Sequence, residues 1–288
     1  MKKHVVVGVT GQLGHDISAR LEGQVTGLTR PEFDLTRPET MRAKLTQLRP
    51  DVVFNCAANN FVDRAESEPD AAFAVNALGV RHLAEICRDL DCVFVHFSTN
   101  YVFGLDDQRR MPYVESDCPG PISAYGMSKL AGEYFVRATC PKHFVIRTAG
   151  LFGLLGSGGK GTNFVELMLR LAKEGKPIRV VADQVCTPTS TVDLALATIA
   201  LIQTGRYGLY HLTNSASCSW HEYAQTIFEL AGVEANLMGV SSEQFGAPAP
   251  RPRYSVMARA AYQALGFPEL RAWREALTDY LRDRLKRG

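Results

Sequence analysis

The chain has 288 residues, of which 46% are hydrophobic and 22% charged, and its formal net charge is +2. This length exceeds one typical domain and can bury a substantial core, while the near-neutral charge gives no electrostatic case for binding nucleic acid or an anionic membrane. Seven cysteines are scattered along the chain without Cys-x-x-Cys spacing. That pattern favours reduced thiols in a cytoplasm over a disulfide framework or a zinc site.

The first half of the chain alternates short apolar strands with helices. We predict strands at residues 5–8, 24–28, 51–56, 92–98 and 143–148, and helices at residues 12–21, 38–48, 70–89 and 123–138. Near-continuous apolar strands separated by helices are typical of a doubly wound parallel sheet. We therefore predict an α/β fold with a Rossmann-type, NAD(P)-binding domain over residues 1–150.

The pattern changes after Gly150. The glycine-rich residues 153–161 do not form a Walker loop, because positions 154 and 161 hold Leu and Gly. Helices are predicted at 163–174, 191–203, 220–231 and 270–285, and strands at 178–182 and 208–212. We predict a smaller C-terminal α/β substrate-binding domain over residues 151–288, with roughly residues 178–204 crossing back to the first half.

A glycine-rich turn, Gly8-Val-Thr-Gly11-Gln-Leu-Gly14, stands between the first predicted strand and the first predicted helix. Glycines in this place let the turn and the helix N-terminus approach a pyrophosphate, whose charge the N–H groups stabilise. We therefore expect dinucleotide contacts from Gly8, Gly11, Gln12, Leu13 and Gly14.

The end of the second strand decides the expected cofactor. A carboxylate there would bind the ribose 2′-hydroxyl, whereas an arginine can accept a 2′-phosphate. Arg30 occupies this place, with no acid until Glu32, so we expect NADPH, with NADH as the alternative. Asp34 and Leu35 are expected beside the adenine. Small residues that end the third strand are expected near the ribose: Cys56, Ala57 and Ala58.

Tyr125 and Lys129 are four positions apart on a predicted helix, so their side chains share one face. A neighbouring ammonium lowers the pKa of a tyrosine from about 10, which suits the acid/base that hydride transfer needs. Ser98 and Thr99 end the fourth strand, where doubly wound sheets bind ligands, and Thr99 can hydrogen-bond a substrate carbonyl. We predict Thr99, Tyr125 and Lys129 as catalytic residues. Further cofactor contacts are predicted at Asn76, Ser98, Tyr125 and Lys129.

Further motifs accompany these residues in a fixed order. They include Ser98-Thr-Asn-Tyr-Val-Phe103, Leu130-Ala-Gly-Glu133, Arg147-Thr148, Thr187-Pro-Thr189 and Arg251-Pro252. With the glycine turn, they make the chain resemble the dTDP-4-dehydrorhamnose reductase family of extended short-chain dehydrogenases/reductases over nearly its whole length.

This resemblance implies an oxidoreductase of dTDP-rhamnose biosynthesis. NADPH would reduce the 4-keto group of a nucleotide-linked 4-keto-6-deoxy sugar, most simply dTDP-4-dehydro-L-rhamnose, and Tyr125 would protonate the new alkoxide. Lys129 would tune Tyr125 and bind the nicotinamide ribose. Substrate contacts are expected from Asn100, Tyr101, Asn163, Gln184 and Arg251.

Three positions on the substrate side depart from the family's usual pattern. Asn100 stands where an aspartate is usual, and Ala149-Gly150 stands where the family usually has Ser-Trp. Cys186 replaces a usual glycine. Because the Thr99, Tyr125 and Lys129 set is intact, these changes concern the choice of sugar more than the reduction.

Two alternative functions stay open. One is a reductase or epimerase acting on a different nucleotide sugar, since the same triad serves many 4-keto chemistries on this fold. The other is a non-catalytic regulatory subunit, because the β subunit of methionine adenosyltransferase also resembles this family.

Metal and partner expectations also follow from the resemblance. Some family members bind Mg²⁺ through acidic residues at a dimer contact. We expect Asp16, with His15, at the surface or an interface, but Val192 stands where the matching acid would be, so we predict no metal. The expected partners are a small nucleotide-sugar substrate and a second copy of the chain in a homodimer.

Overall fold

The computed structural model describes residues 1–155 and 161–286, so positions 156–160 of the glycine-rich stretch lie outside the described residues. The strands are β1 (Lys3–Val7), β2 (Gln24–Leu28), β3 (Val52–Asn55), β4 (Val93–Thr99), β5 (His143–Thr148), β6 (Leu151–Phe152), β7 (Ile178–Val181), β8 (Val185–Cys186), β9 (Thr189–Ser190), β10 (Gly208–His211), β11 (Cys218–Ser219) and β12 (Leu237–Val240). The helices are α1 (Gln12–Ser18), α2 (Pro38–Leu48), α3 (Arg64–Ser67), α4 (Pro69–Phe73), α5 (Val80–Asp89), α6 (Ala124–Thr139), α7 (Phe164–Lys173), α8 (Thr191–Ile202), α9 (Trp220–Ala231), α10 (Ser242–Phe245), α11 (Ala260–Ala264) and α12 (Trp273–Leu285).

A six-stranded parallel sheet forms the centre of the molecule, in the order β2-β1-β3-β4-β5-β10. The chain moves outward from β1 in both directions, so the sheet is doubly wound and the predicted α/β fold class is confirmed. The carboxyl ends of β1, β2, β3 and β4 meet at one edge. Residues that immediately follow these strands therefore lie together, as ligand-binding residues do in such sheets.

Helices cover both faces of the sheet. One face packs on α2, α5 and α6 through buried side chains such as Met41, Leu83 and Val136. The other packs on α1 and α8 through Ile17 and Leu194. Strands buried on both faces need apolar side chains at nearly every position, which explains the Val-rich first strand.

The second half of the chain contributes to both the sheet and a separate core. β10 extends the sheet beside β5, and α8 lies on its face. A distinct aromatic core joins α7, α9 and α12 through residues such as Phe152, Tyr223 and Trp273. The predicted division at residue 150 and the crossing back near residues 178–204 stay predictions about domain boundaries.

The helix predicted over residues 70–89 has three parts. α4 is followed by a π-helical segment, Ala74–Gly79, and then by α5. Gly79 packs against the Leu35 backbone so closely that an added Cβ would lie 2.5 Å from the Leu35 carbonyl oxygen. Single π-helical turns inside helices often occur at functional sites, and Asn76 lies in this one.

The sequence predicts Asp16 at the surface or an interface; its side chain does not lie at the surface of this chain, and an interface with a second copy stays a prediction. The Asp16 side chain is buried where α1 meets α8, accepts a short hydrogen bond from the Thr191 hydroxyl and pairs with Arg20 at 3.0 Å. Helix α1 itself ends at Ser18, whereas the sequence predicts its end at Leu21.

Among the described helices, none has the length and apolar content to cross a membrane.

Candidate active site

A cleft of about 460 Å³ opens at the carboxyl edge of the sheet. Most of the predicted cofactor residues line it, namely Gly8, Gly11, Gln12, Leu13, Gly14, Arg30, Asp34, Leu35, Cys56, Ala57, Ala58, Ser98, Tyr125 and Lys129. Residues from four different strand ends thus meet in one place. A second, shallow groove of about 500 Å³, at the opposite side of α6 beside Tyr134 and His143, contains none of the predicted site residues.

The glycine turn is packed too closely for larger residues. Gly8 has a φ of +81°, in the region that favours glycine, and an added Cβ would lie 2.9 Å from the Ala57 nitrogen. An added Cβ at Gly14 would lie 2.3 Å from the Gly8 carbonyl oxygen. These contacts bring the start of α1 against β1 and keep the turn open toward the cleft.

Arg30 and Asp34 lie at the far end of the cleft, after β2. The Thr36 N–H and hydroxyl donate hydrogen bonds to the Asp34 carboxylate at 2.8 and 2.7 Å, and these bonds hold the pKa of Asp34 below its usual value. Asp34 therefore stabilises its own turn as an anion, while Arg30 supplies a cation beside it.

Asn76 does not itself line the cleft. Its amide donates to the Asn59 carbonyl at 2.8 Å and accepts from the Asn59 N–H at 2.9 Å. It also donates to the Ser128 hydroxyl at 3.0 Å. Asn76 thus fixes Asn59, which does line the cleft, so its cofactor role stays a prediction that would act through Asn59.

Thr99, Tyr125 and Lys129 come together from β4 and α6. Ser123 caps α6 by accepting from the Gly126 N–H at 3.1 Å, which places Tyr125 in the first turn. The Thr99 hydroxyl lies near the Tyr125 phenol and donates to the Asn100 side-chain oxygen at 3.3 Å. Lys129, one turn later and almost fully buried, donates to the Phe97 carbonyl oxygen at 2.7 Å. The phenol and the amine line the cleft, and the hydroxyl lies beside the phenol.

The Tyr125 pKa differs from the sequence-based expectation. Burial raises the pKa of Tyr125 above its usual value, and the neighbouring Thr99 hydroxyl only partly opposes this effect. Lys129 donates to a backbone carbonyl instead, and its own pKa is lowered by burial to about 8, with Glu133 acting in the opposite direction. The phenol is therefore held in its protonated form, because burial penalises its charged form.

His96 is a core histidine. It is fully buried on β4, with Nδ1 3.2 Å from the Asn55 amide nitrogen and Nε2 3.5 Å from Lys129 Nζ. Burial, and then the neighbouring Lys129, hold the His96 pKa well below its usual value. His96 is accordingly neutral, and its ring contacts the Lys129 side chain below the cleft.

Three predicted substrate residues lie next to the catalytic set. Asn100 donates to the Ser255 hydroxyl at 2.7 Å. The ring of Tyr101 meets that of Tyr125 edge-on, with centroids 5.9 Å apart. Burial raises the pKa of Tyr101 to about 12, although the nearby Arg251 guanidinium opposes the shift. The C-terminal segment therefore reaches the catalytic edge.

The other two predicted substrate residues are engaged elsewhere. Asn163 caps α7 by accepting from the Glu166 N–H, and its amide donates to the Gly153 carbonyl and the Tyr280 hydroxyl. Gln184 donates to Ser242 at 2.9 Å. Their substrate contacts stay predictions, and Asn163 would have to exchange a structural bond to make one.

The backbone conformation at residue 150 is unfavourable for the tryptophan that the family usually has at this position. Its φ of +52° lies in the left-handed region, and an added Cβ would lie 3.2 Å from the Pro188 Cα. Ala149 is buried. The backbone here turns toward Pro188 in a way that only glycine accepts at low cost, so the wall facing Tyr125 carries no indole.

The sequence analysis assigned no role to several residues that build the site. Asn59, Asn60, Phe61 and Thr148 line the cleft. Glu133 and Arg147 form a buried ion pair with an Nη2–Oε2 distance of 2.7 Å behind Ser98. Both members of the pair stand in motifs noted in the sequence, but their pairing depends on α6 lying beside β5.

The cleft fits a dinucleotide phosphate cofactor. Its glycine turn offers backbone N–H groups, Arg30 offers a cation, and the lining residues Gln12 and Thr148 each carry a buried oxygen without a hydrogen-bond partner in the described part of the chain. Within residues 1–155 and 161–286, no cluster of three or more His, Cys, Asp or Glu side chains could hold a metal ion.

Comparisons with known proteins agree with this geometry. The family model described as "RmlD substrate binding domain" matches residues 2–285. The chain is 38% identical to the spore coat polysaccharide biosynthesis protein SpsK of Bacillus subtilis, over 99% of this chain and 98% of that protein. It is 40% identical to a dTDP-4-dehydrorhamnose reductase of Streptomyces griseus, over 96% of this chain and 91% of that protein.

A solved structure shows the same likeness in three dimensions. The crystal structure of dTDP-4-dehydrorhamnose reductase from Bacillus anthracis, in complex with NADP, superimposes with a TM-score of 0.93 at 38% identity. The match covers 98% of this chain and 100% of that one. The similarity therefore extends through both halves of the molecule.

Proposed function

This chain belongs to the RmlD substrate-binding-domain family, and we propose that it is an NADPH-dependent reductase of a nucleotide-linked 4-keto-6-deoxy sugar. The substrate is dTDP-4-dehydro-L-rhamnose and the product dTDP-L-rhamnose. The observation that carries the proposal is the position of Tyr125 and Lys129, which line the same cleft as the glycine turn and Arg30, with Thr99 beside Tyr125 at the end of β4.

The cofactor site is assigned from the residues that line the cleft. NADPH, when bound, supplies the hydride for the sugar ketone. The turn around Gly8, Gly11 and Gly14 would bind the pyrophosphate, as glycine-rich turns at strand ends do. Arg30 would bind the 2′-phosphate, because a guanidinium matches phosphate geometry.

Tyr125 donates the proton that the new sugar alkoxide requires. A reductase needs this group as a phenol, not a phenolate, at the start of the reaction. The raised pKa of Tyr125 meets that need, and the neighbouring Thr99 hydroxyl favours the phenolate that remains after the proton has left. Lys129 would supply positive charge below the phenolate and bind the nicotinamide ribose.

Thr99 also orients the carbonyl that is reduced. Its hydroxyl lies at the end of β4 and is held there by the Tyr101 N–H, which donates to it at 3.2 Å. A donor fixed before the substrate arrives stabilises developing negative charge without reorganisation at the moment of reaction.

Both halves of the chain contribute polar groups around this centre. Asn100 and Tyr101 are proposed to contact the sugar and diphosphate, because Asn100 directly follows Thr99 and the ring of Tyr101 meets that of Tyr125. Arg251, from the C-terminal half, is proposed to join them because it lies near Tyr101. Asn163 and Gln184 are proposed as more distant contacts. Ala149-Gly150 is smaller than the usual Ser-Trp, which favours testing other nucleotide sugars as well.

The cellular setting follows from the reaction. We infer a cytoplasmic enzyme, because its nucleotide-sugar substrate and NADPH are cytoplasmic small molecules and its cysteines are free thiols in the structure. A homodimer stays a prediction. The regulatory-subunit alternative is not favoured, because the similar proteins with a stated activity are reductases.

The test is NADPH consumption by the purified chain with dTDP-4-dehydro-L-rhamnose, compared with GDP- and UDP-linked 4-keto sugars. We expect the highest kcat/KM with the dTDP-linked rhamnose precursor. A higher value with another sugar would reassign the substrate. No consumption with any sugar, together with co-purification of a methionine adenosyltransferase, would replace the proposal with the regulatory function.

A further inference from the structure

Glu133 is a fully buried carboxylate that faces the catalytic strand ends. It lies on α6 four residues after Lys129, so the two side chains share a helix face. Arg147 on β5, itself fully buried, donates to Glu133 from Nε at 2.9 Å and from Nη2 at 2.7 Å. This bidentate geometry fixes the Glu133 carboxylate more firmly than a single hydrogen bond would.

The same carboxylate holds the residue next to Thr99. The Ser98 hydroxyl donates to Glu133 Oε1 at 2.5 Å. Ser98 lines the cofactor cleft, and the adjoining Thr99 lies near the Tyr125 phenol. Glu133 therefore ties the end of β4 to α6, the helix that carries Tyr125.

The hydrogen-bond chain continues on the far side of Arg147. Arg147 Nη1 lies 3.4 Å from His211 Nε2, and His211 Nδ1 lies 3.0 Å from the Ala258 carbonyl oxygen. Burial, and then Arg147, lower the pKa of His211 to about 3, so the ring is neutral. It donates from Nδ1 to the carbonyl and accepts from Arg147 at Nε2, which leaves every member of the chain satisfied.

Glu133 also acts on the charge of Lys129. The titratable groups near Lys129 are Tyr125 and Glu133 on α6, His96 on β4 and the cleft thiol Cys56. Burial raises the pKa of Cys56 and lowers that of His96, so both are neutral. Glu133 is thus the anion that favours the Lys129 ammonium against burial.

We propose that Glu133 is a positioning residue for the reduction, fixing Ser98 and Thr99 at the end of β4 from the helix face that also carries Lys129. The proposal rests on the proposed function for its catalytic meaning. A purely structural ion pair would need no acceptor bond to Ser98 and no charge beside Lys129, since apolar residues of similar volume often replace such pairs without loss of stability.

The experiment follows NADPH binding to the full chain by fluorescence from pH 6 to pH 9. It compares the unchanged protein with E133Q, and E133D serves as the charge-retaining variant. D193N is the matched control, because Asp193 forms a partly buried ion pair with Arg271 away from the cleft. NADPH binding is measured without sugar, so a failure of the proposed substrate would not alter the readout.

The sign of the effect follows from the Lys129 pKa. In the unchanged protein, NADPH affinity falls as the pH rises through about 8, where Lys129 loses its proton. Removing the Glu133 charge lowers that pKa further, so in E133Q the fall moves to lower pH by about one unit. E133D and D193N keep the original pH dependence of NADPH affinity. S98A lowers kcat about tenfold but leaves that pH dependence unchanged.

E133Q leaves the Arg147 guanidinium without a charged partner and can unfold for that reason alone. The double variant E133Q/R147Q removes both charges, and it is expected to show the same shift to lower pH because the anion near Lys129 is still lost. Unchanged pH dependence in folded E133Q or in the double variant would overturn the proposal. An equal shift in D193N would overturn it as well.

Discussion

One nitrogen of the Arg251 guanidinium lies 2.9 Å from both carboxylate oxygens of Asp63, a residue 188 positions earlier in the chain. The pair joins the loop after β3 to the C-terminal segment. Because Arg251 also contacts Tyr101, this ion pair lies at the boundary between the cofactor cleft and the proposed sugar site.

Arg251 and Asp63 should have opposite effects on substrate binding. If Arg251 binds the diphosphate, R251M should raise the KM for the nucleotide sugar about 10- to 100-fold, the cost of a lost hydrogen bond to a charged group. D63N should lower that KM, because it removes a competing carboxylate. Steady-state kinetics with R274M as a surface-arginine control measure both, and an unchanged KM in R251M would remove Arg251 from the site.

Tyr125 should be essential for turnover but not for cofactor binding. Y125F keeps the ring and removes the proton donor, so kcat should fall at least about 10³-fold. NADPH affinity, measured by fluorescence titration, should change less than about threefold, since Tyr125 supplies only part of a large cofactor surface. Appreciable residual turnover in Y125F would assign the proton donor elsewhere.

Arg30 should decide between NADPH and NADH. R30S removes the cation at the end of β2, so the KM for NADPH should rise about tenfold or more while that for NADH stays unchanged. R37S is the matched control, because Arg37 is also near Asp34 but does not line the cleft. Equal effects of R30S on both cofactors would contradict a 2′-phosphate contact.

Restoring the family's usual tryptophan should damage this chain. G150W places a side chain on a residue with a φ of +52° and against Pro188. The backbone conformation alone costs about 1–2 kcal/mol, and the contact adds to it. Denaturant unfolding should show a larger loss of unfolding free energy for G150W than for G175W, because Gly175 has a similar φ but open space around an added Cβ. Equal losses in the two variants would mean that Pro188 moves away from the new side chain at little cost.

Much of this fold was predictable because its signals are local. The β5 and α9 boundaries agree with their predicted ranges, and most others agree within a few residues, since apolar strands and glycine turns mark their own limits. The Tyr125–Lys129 spacing likewise predicts a shared helix face. The π-helical segment around Asn76 was not predictable, because it depends on how closely Gly79 packs against Leu35.

The missed features of the site depend on distant contacts. The sign of the Tyr125 pKa shift was predicted wrongly, because burial around the phenol outweighs the effect expected from Lys129. Asp16 was expected at the surface or an interface, and it is buried against α8, whose Thr191 is 175 positions later. The Glu133–Arg147 pair likewise forms only once α6 lies beside β5, and no spacing in the sequence shows that contact.

The most direct test of the central claim is the transfer of deuterium from NADPH that carries two deuterium atoms at its nicotinamide C4 to dTDP-4-dehydro-L-rhamnose, followed by NMR of the sugar. The account predicts one deuterium at sugar C4 of dTDP-L-rhamnose for each NADPH consumed, and no labelled product with Y125F. Product formed without deuterium at C4, or no NADPH consumption with this substrate, would contradict it.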